Sequence, residues 1–262
     1  MAGGGLTVIA QLTDPHILAA GERLGGQIDT AGHLRDAVEH VNGLEPQPDL
    51  VVLTGDLTDA GSRAEYDNLA SLLAPLRAPV VLLPGNHDVP ETLAEVFPAE
   101  KEWPRALDVG PLRLLLLDDS VPGSPNGRVG PEQLAWLDRT LGESSAPTIV
   151  AVHHPPYATG ITHMDEMGLD DGDALGDVIE RHRHVVRVIT GHLHRNITTL
   201  WRGTVVTTSQ STAHQVALDL GDGPARWRRE PPAAQLHVWL PDEGLLVTHM
   251  SPIGDFGPPE PF

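Results

Sequence analysis

The feature that most constrains the fold is a series of short apolar runs that each stop abruptly at polar residues. Runs of this length, bounded by turn residues, are typical of buried strands. The runs with this form are Leu6–Leu12, Leu50–Thr54, Pro79–Leu83, Thr148–Val152 and Val185–Thr190. A further strand is predicted at Leu112–Leu117.

Helical patterns separate these predicted strands. Apolar residues recur at helical spacing over residues 30–44, and Ser62 with Glu65 forms a capping box ahead of a second apolar stripe. Pro131 is placed as the first residue of a third helix, and a fourth is predicted at Ala174–Ile179. The alternation predicts an α/β protein with a largely parallel sheet buried between helices.

Residues that suit metal binding follow directly after five of the predicted strands. They are Asp14, Asp56, Asn86, His153 and His192. Open α/β sheets bind their ligands at the carboxyl ends of the strands. We therefore expect these five side chains to meet at one edge of the sheet.

The chain changes character after about residue 197, where short predicted strands alternate with Gly and Pro turns. These strands either complete a second sheet or extend as a cap. We treat residues 1–262 as one domain, with residues 203–240 as a candidate cap or dimerisation element.

Composition narrows the classes of partner. The 17 Lys and Arg against 36 Asp and Glu give a net charge of −19, which disfavours nucleic acid polymers and anionic membrane surfaces. A small anionic substrate still fits where a bound metal makes the local field positive. Cysteine is absent, which excludes thiolate chemistry and disulfides. With neither a secretory pattern nor a membrane-length apolar run, we expect a cytoplasmic protein.

Short motifs stand at the ends of the five strands. They read Asp14-Pro15-His16, Gly55-Asp56, Gly85-Asn86-His87-Asp88, His153-His154-Pro155 and Gly191-His192-Leu193-His194. Each motif alone is weak, because an Asp at a strand end is often a turn former or a helix cap. All five in this order, each after a buried strand, favour a metal centre.

With these motifs the chain resembles the calcineurin-like metallophosphoesterases over residues 6–214. It is most similar to the class III cyclic nucleotide phosphodiesterases and the related glycerophosphodiesterases. The nearer likeness rests on the segments Asp56-Leu57-Thr58-Asp59, Pro84-Gly85-Asn86-His87-Asp88 and Ser211-Thr212-Ala213-His214-Gln215. The resemblance implies a four-layer α/β/β/α sandwich of two mixed sheets flanked by helices. Relatives of this type often form dimers, so a homo-oligomer is an open alternative.

The resemblance also implies two divalent metal ions. The first would be held by Asp14, His16 and His194, the second by Asn86, His153 and His192, and Asp56 would bridge them. Imidazole and carboxylate ligands without sulfur suit Mn, Fe, Zn or Co and leave the choice among them open. Two dications, two carboxylates and a bridging hydroxide leave the centre near one positive charge, which suits a phosphodiester.

The implied reaction is in-line attack on phosphorus by a metal-bound hydroxide. His87 is the candidate to protonate the departing alkoxide, because Asn86 places it beside the second metal. Asp59 matches the position whose carboxylate pairs with this His in related phosphatases. An Asp there could equally cap a turn before Ser62.

Three further residues are candidates for contact with substrate. His214 lies in the segment that resembles a substrate-facing one. Arg195 follows the last ligand and could meet a phosphate, although an exposed Arg is the default interpretation. Tyr157 could stack on a base or pack under its loop, and His154 is read as a neighbour and not a ligand.

The predicted function is hydrolysis of a small phosphodiester, with a 3′,5′-cyclic nucleotide as the leading substrate. A glycerophosphodiester is the near alternative, and the same ligands would serve a phosphomonoesterase or a pyrophosphatase. A non-catalytic scaffold with this fold is a third reading. It is weakened because every implied ligand is present.

Overall fold

The computed structural model describes residues 5–258, 260 and 261. Its strands are β1 (Thr7–Leu12), β2 (Leu50–Thr54), β3 (Val80–Leu83), β4 (Arg105–Val109), β5 (Leu112–Leu116), β6 (Thr148–Ala151), β7 (Val185–Thr190), β8 (Ile197–Trp201), β9 (Thr204–Thr208), β10 (Gln215–Val216), β11 (Trp227–Arg228), β12 (Ala233–Leu240) and β13 (Leu245–Pro252). Its helices are α1 (Thr30–Asn42), α2 (Arg63–Leu73), α3 (Pro90–Val96), α4 (Gly130–Gly142), α5 (Thr162–Asp165) and α6 (Gly172–Arg181), with a 3-10 turn at Pro98–Glu100.

The strands form two large mixed sheets. The five-stranded sheet has the order β13-β12-β1-β2-β3, in which β1, β2 and β3 run parallel and β12 and β13 are antiparallel. The six-stranded sheet has the order β4-β5-β6-β7-β9-β8, with antiparallel strands at its two edges. Parallel strands therefore run from the centre to one edge of the first sheet and occupy the middle of the second, in keeping with the alternation of strands and helices.

Alternation of side chains along the strands creates three apolar layers. Ile9 and Val52 point between the two sheets, where they pack with Leu114 and Ile149 of the second sheet. The opposite faces pack against α1 and α2 on one side and against α4 and α6 on the other. The four-layer α/β/β/α architecture is confirmed.

The capping box that opens α2 forms as its sequence predicts. The Ser62 hydroxyl accepts a hydrogen bond from the Glu65 amide at 3.4 Å, and the Glu65 carboxylate accepts from the Ser62 amide at 2.9 Å. Such a cap contributes about 1 kcal/mol to helix stability. The cap also fixes the residue at which α2 begins, and therefore the end of the loop that carries Asp56 and Asp59.

Several short elements lie outside the sequence prediction, among them β4, α3, α5 and β11. Strand β4 alternates exposed and buried residues at the edge of its sheet, so it lacks the continuous apolar run that marks the central strands. Helix α3 has seven residues and begins at Pro90, and its single fully buried apolar side chain, Leu93, gives no periodic signal.

The region at residues 203–240 divides between the sheets and a surface segment. β9 pairs with β7 and β8, and β12 pairs with β1. Residues 209–232 lie between these strands, and β10 pairs with β11 inside that stretch. We call residues 215–230 the arm. Within the described part of the chain, no helix has the length and apolar character needed to cross a membrane.

Candidate metal centre

The two sheets meet at the ends of β1, β2 and β7. The Gln11 amide donates to the Thr54 hydroxyl at 2.8 Å and to the Thr190 carbonyl at 2.9 Å, which joins the three strand ends. Beyond the strands, the Asp14 amide donates to the Gly55 carbonyl at 3.0 Å. These bonds bring the predicted metal ligands together. We call Asp14, His16, Asp56, Asn86, His153, His192 and His194 the metal centre.

The backbone is left-handed at most of these ligand positions. Among the described residues, the non-glycine residues with positive φ are Asp14, His16, Asp56, His192, His194 and Arg202, with φ between 45° and 68°. This conformation is uncommon for residues with a Cβ and persists where surrounding contacts enforce it. The turns after the strands therefore aim these side chains into one space at a cost in backbone strain.

Two glycines make room for the ligands. A Cβ on Gly55 would lie 2.1 Å from His153 Nδ1, and a Cβ on Gly191 would lie 2.2 Å from Thr13 Oγ1. Both distances are far below van der Waals contact, so only glycine fits beside Asp56 and His192. The Gly residues of these motifs are thus required by packing.

The first cluster consists of Asp14, His16, Asp56 and His194, whose ligand atoms lie within 4.8 Å of one another. His16 Nε2 is 3.1 Å from His194 Nε2 and 3.6 Å from Asp56 Oδ2. His194 Nε2 lies 3.4 Å from Asp14 Oδ1. Ligands bound at about 2.1 Å to one metal are separated by about 3 Å, so these spacings suit a single cation.

The second cluster shares Asp56. Its Oδ1 lies 3.4 Å from His153 Nε2, while its Oδ2 faces the first cluster. His192 Nδ1 lies 3.1 Å from Asn86 Oδ1, and the rings of His153 and His192 are 5.3 Å apart. One carboxylate therefore faces both clusters, each oxygen toward a different one.

Hydrogen bonds to main-chain carbonyls set the orientation of two ligand imidazoles. His153 Nδ1 donates to the Thr54 carbonyl at 2.7 Å, and His194 Nδ1 donates to the His214 carbonyl at 2.8 Å. Each Nε2 then points into the centre, as the outer partners of metal-bound His do.

The centre fits divalent cations. The Nε2 atom of His153 faces Asp56 and is buried without a hydrogen-bond partner, and other nitrogens face carboxylate oxygens or one another. Buried polar atoms need a partner, and a cation bound between these atoms would serve as that partner. The nitrogen and oxygen donors suit Mn, Fe, Zn or Co better than calcium, which takes oxygen only.

The charges of the centre interact strongly. Burial raises the pKa of Asp56, but His153 and His16 outweigh it and hold that pKa well below the ordinary value. Burial and the neighbouring His154 and His153 lower the pKa of His192 well below its ordinary value. Asp56 is therefore ionised and His192 neutral near pH 7, which are the forms that bind metal.

His154 lies beside the centre with both ring nitrogens engaged. Its Nδ1 is 3.2 Å from Asp119 Oδ2, and its Nε2 is 3.1 Å from the Pro125 carbonyl. Asp119 also accepts from the amides of His153 and His154 at 3.2 and 2.8 Å. Asp119 thus positions the ligand loop, a role that its place after β5 did not reveal.

Asp88 ties two ligand loops together. It accepts hydrogen bonds from the amides of Leu57, Thr58 and Gly85 and from the hydroxyls of Thr58 and Tyr66, at 2.9 to 3.2 Å. Burial raises the pKa of Asp88 to about 6. The motif that carries Asn86 and His87 therefore ends in a residue that fixes its own loop to that of Asp56.

His87 contacts Asp59 differently from the expected carboxylate pairing. Its Nδ1 donates to the main-chain carbonyl of Asp59 at 2.7 Å, while the Asp59 carboxylate is 3.8 Å away. That carboxylate lies 3.4 Å from His16 Nδ1 instead. A third carboxylate thus borders the first cluster, which reduces the positive excess expected from two carboxylates alone.

The three candidate substrate contacts occupy different surroundings. The His214 ring lies 4.6 Å from the His194 ring and 5.5 Å from the His16 ring. Arg195 donates to the Val216 carbonyl at 2.7 Å and to Glu230 at 3.0 Å, so it holds the arm and is not free for a phosphate. Tyr157 packs on the apolar layer beneath its loop, with its hydroxyl 3.4 Å from that of Thr208.

The segment that carries the metal centre matches a known protein family. Residues 7–196 match the model of the calcineurin-like phosphoesterases. The chain is 37% identical to a probable glycerophosphodiester phosphodiesterase of Arcobacter nitrofigilis, over 97% of this chain and 96% of that protein. It is 39% identical to a probable cyclic nucleotide phosphodiesterase of Rhodopseudomonas palustris, over 92% of this chain and 90% of that protein.

The chain therefore belongs to the calcineurin-like phosphoesterase family and is a metal-dependent phosphoester hydrolase. A solved dimetal phosphatase from Danio rerio shares the fold, with a TM-score of 0.68, 16% identity, and coverage of 95% of this chain and 97% of that one. The resemblance stated from the sequence motifs is confirmed.

Proposed function

We propose that this chain hydrolyses a small phosphodiester, with a 3′,5′-cyclic nucleotide as its substrate. The observation that carries the proposal is the shared Asp56 carboxylate, whose Oδ2 lies 3.6 Å from His16 and Oδ1 3.4 Å from His153. One carboxylate between two clusters is what a paired-cation phosphoester site requires. The curated relatives described above carry phosphodiesterase names.

The residues assigned to two divalent cations are those of the metal centre, with Asp56 shared. The chemistry that two such cations supply when bound is activation of water as the nucleophile and neutralisation of charge on the phosphoryl oxygens. The chain's own part is to hold the donor atoms in place. Thr54, His214 and Asp119 do this through the hydrogen bonds described above.

His87 is assigned the transfer of a proton to the leaving oxygen. Its side chain is 39% exposed, whereas that of Asp56 is 3% exposed, so His87 borders the solvent where an ester group would depart. Burial lowers the pKa of His87, but Asp56 and the Asp59 carbonyl raise it above the ordinary value. Because Nδ1 donates to Asp59, the ring presents Nε2 to the substrate.

Space beside His87 accommodates one ester group of a diester. A cleft of about 260 Å³ is lined by Asn86, His87, Val89 and the loop at residues 120–123. His214 lies on the other side of the centre, next to His194. An acyclic phosphodiester can thus place its two ester groups on opposite sides of the centre, whereas both ester oxygens of a 3′,5′-cyclic nucleotide belong to one ribose and lie on the same side.

The net charge of −19 argues against a long nucleic acid as substrate, because polymer binding depends on neutralising many phosphates. A glycerophosphodiester is the second candidate. The 37% identity to a probable glycerophosphodiester phosphodiesterase, over nearly the whole of both chains, favours it.

The test is steady-state hydrolysis by the manganese-loaded protein. The substrates are cyclic AMP, glycerophosphocholine, a bis-aryl phosphate and the matching aryl monoester, with Asp56→Asn as the blank. Turnover of the diesters without the monoester supports the proposal, and the ratio of the two natural diesters ranks them. Preference for the monoester overturns it, and a protein that binds no metal supports a scaffold instead.

A further inference from the structure

A tryptophan of the arm stands beside the metal centre. The Trp227 ring lies 6.0 Å from the His214 ring in an edge-on arrangement, and His214 lies 4.6 Å from His194. Trp227 is nevertheless 46% exposed. Tryptophan is usually well buried, so an indole that faces solvent next to a reaction centre is a candidate binding surface.

The arm that carries Trp227 is attached to the centre at several points. Val216 pairs with Trp227 across β10 and β11, and Arg195 holds both the Val216 carbonyl and Glu230. The Ser211 hydroxyl donates to the Asp14 carbonyl at 2.7 Å, which fixes the residues just before the arm to a ligand loop. The indole is thus held in a set position relative to the metal ligands.

Arginines neighbour this indole in the sequence of an otherwise acidic protein, and one of them lies against its ring. Arg226, Arg228 and Arg229 lie within two residues of Trp227, and the Arg229 guanidinium is 5.9 Å from its ring centroid. A quaternary ammonium group prefers an aromatic face without neighbouring cations. A neutral nucleobase has no such conflict and stacks on both an indole and a guanidinium plane.

We propose that Trp227 is the surface on which the substrate's nucleobase stacks while the phosphodiester occupies the metal centre. Trp227 then selects cyclic nucleotides over glycerophosphodiesters that carry a choline head group. The inference rests on the proposed function and deepens it by naming the residue that selects this substrate class. His214 forms the wall between the stacked base and the first cluster.

The experiment pairs two proteins with two substrates. Cyclic AMP is compared with the 3′,5′-cyclic phosphate of 1-deoxyribose, which lacks the base, in the wild type and in Trp227→Ala. We expect kcat/KM for cyclic AMP to fall about tenfold, mainly through KM, because a stacked base contributes that much in single-strand binding sites. The base-free substrate should be unaffected, and Trp227→Phe should restore most of the loss.

A matched control removes another exposed apolar side chain of the same arm. Leu218→Ala, at a residue that is 59% exposed, should leave both substrates unchanged. An equal loss on both substrates in Trp227→Ala would mean that the indole supports the arm only, and no loss would mean that the base lies elsewhere. Either result overturns the inference.

A binding measurement separates this inference from the proposed function. The dissociation constant of the phosphorothioate analogue of cyclic AMP is measured for the manganese-loaded wild type, Trp227→Ala and Trp227→Phe. If neither cyclic phosphate is hydrolysed, the assignment of a cyclic nucleotide as substrate fails. Weaker binding in Trp227→Ala alone would still support base stacking, and unchanged binding would overturn it.

Discussion

The metal centre and the rim that borders it are built differently, where the rim means His87, His214 and Trp227. The centre sits on turns that follow parallel strands of the two sheets, and its backbone is left-handed at most of the assigned ligands. The rim residues are on loops or the arm and keep part of their surface exposed. The difference separates a buried part that would hold the metals from an exposed part that would meet the leaving group and the rest of the substrate.

The largest expected effect comes from the shared ligand of the centre. Asp56→Asn should lower kcat by about 1,000-fold, beyond the roughly 100-fold loss that follows removal of an outer partner of a metal ligand. Steady-state hydrolysis measures it, and metal content by elemental analysis should fall in parallel. Asp242→Asn, at an exposed residue, is the control and should match the wild type. Full activity of Asp56→Asn would contradict the view that hydrolysis depends on the metal centre.

The next effect concerns how the centre is supported. Asp88→Asn should lower the free energy of unfolding by about 3 kcal/mol, because either orientation of the amide turns its NH₂ group toward buried donors. Urea unfolding at pH 8 measures it. The exposed Asp67→Asn should change stability by less than about 0.5 kcal/mol. A stability like that of the wild type would mean that the two ligand loops hold together without Asp88.

A third prediction probes the rim. His87→Ala should slow an alkyl diester by about 100-fold, because an alkoxide leaves poorly without a proton. It should slow a nitrophenyl diester much less, since that group leaves as a stabilised anion. The test is the loss in kcat for each of the two substrates, and His87→Gln serves as a polar control variant. Equal losses on both substrates would assign His87 to phosphate binding.

The smallest expected effect is a dependence of folding stability on pH that arises from His237. His237 is fully buried between Gln11 and Thr248, and burial lowers its pKa to about 3. The unfolded chain takes up this proton near pH 6.5, so folding stability falls as pH drops below that value. From pH 6.5 to pH 5 the expected loss is about 2 kcal/mol.

His237→Gln isolates this contribution, because glutamine keeps a donor for Gln11 and does not titrate. Urea unfolding of both proteins at several pH values gives the difference in slope. Parallel curves for the two proteins would show that His237 titrates alike in the folded and unfolded states.

The sequence predicted the parts of the molecule whose signal is local. The central strands are continuous apolar runs, and their ligands follow within a few residues, so both the α/β class and the approach of Asp14 to Asp56 could be inferred from order alone. Strand β4 could not be inferred in this way, because its alternating pattern is recognisable as a strand only from its pairing with β5. Helix α3 is too short to show a period.

At the site, the contacts that could not be predicted join residues that are distant in the sequence, or depend on which atom of a residue is used. Asp119 and Asp88 are carboxylates at strand ends, as the ligands are, and only the fold shows that they bind amides. Arg195 meets Glu230, which is 35 residues away. Asp59 directs its carboxylate to His16 and its carbonyl to His87, a choice of atoms that residue type does not determine.

The glycines beside the ligands have a consequence for how such a chain can change. A single methyl group at Gly55 or Gly191 would collide with His153 or Thr13, so these sites tolerate no other amino acid. The arm carries no such restriction around Arg226 and Trp227, where side chains face solvent. Random mutation can therefore alter which ester is accepted long before it can alter how the ester is cleaved.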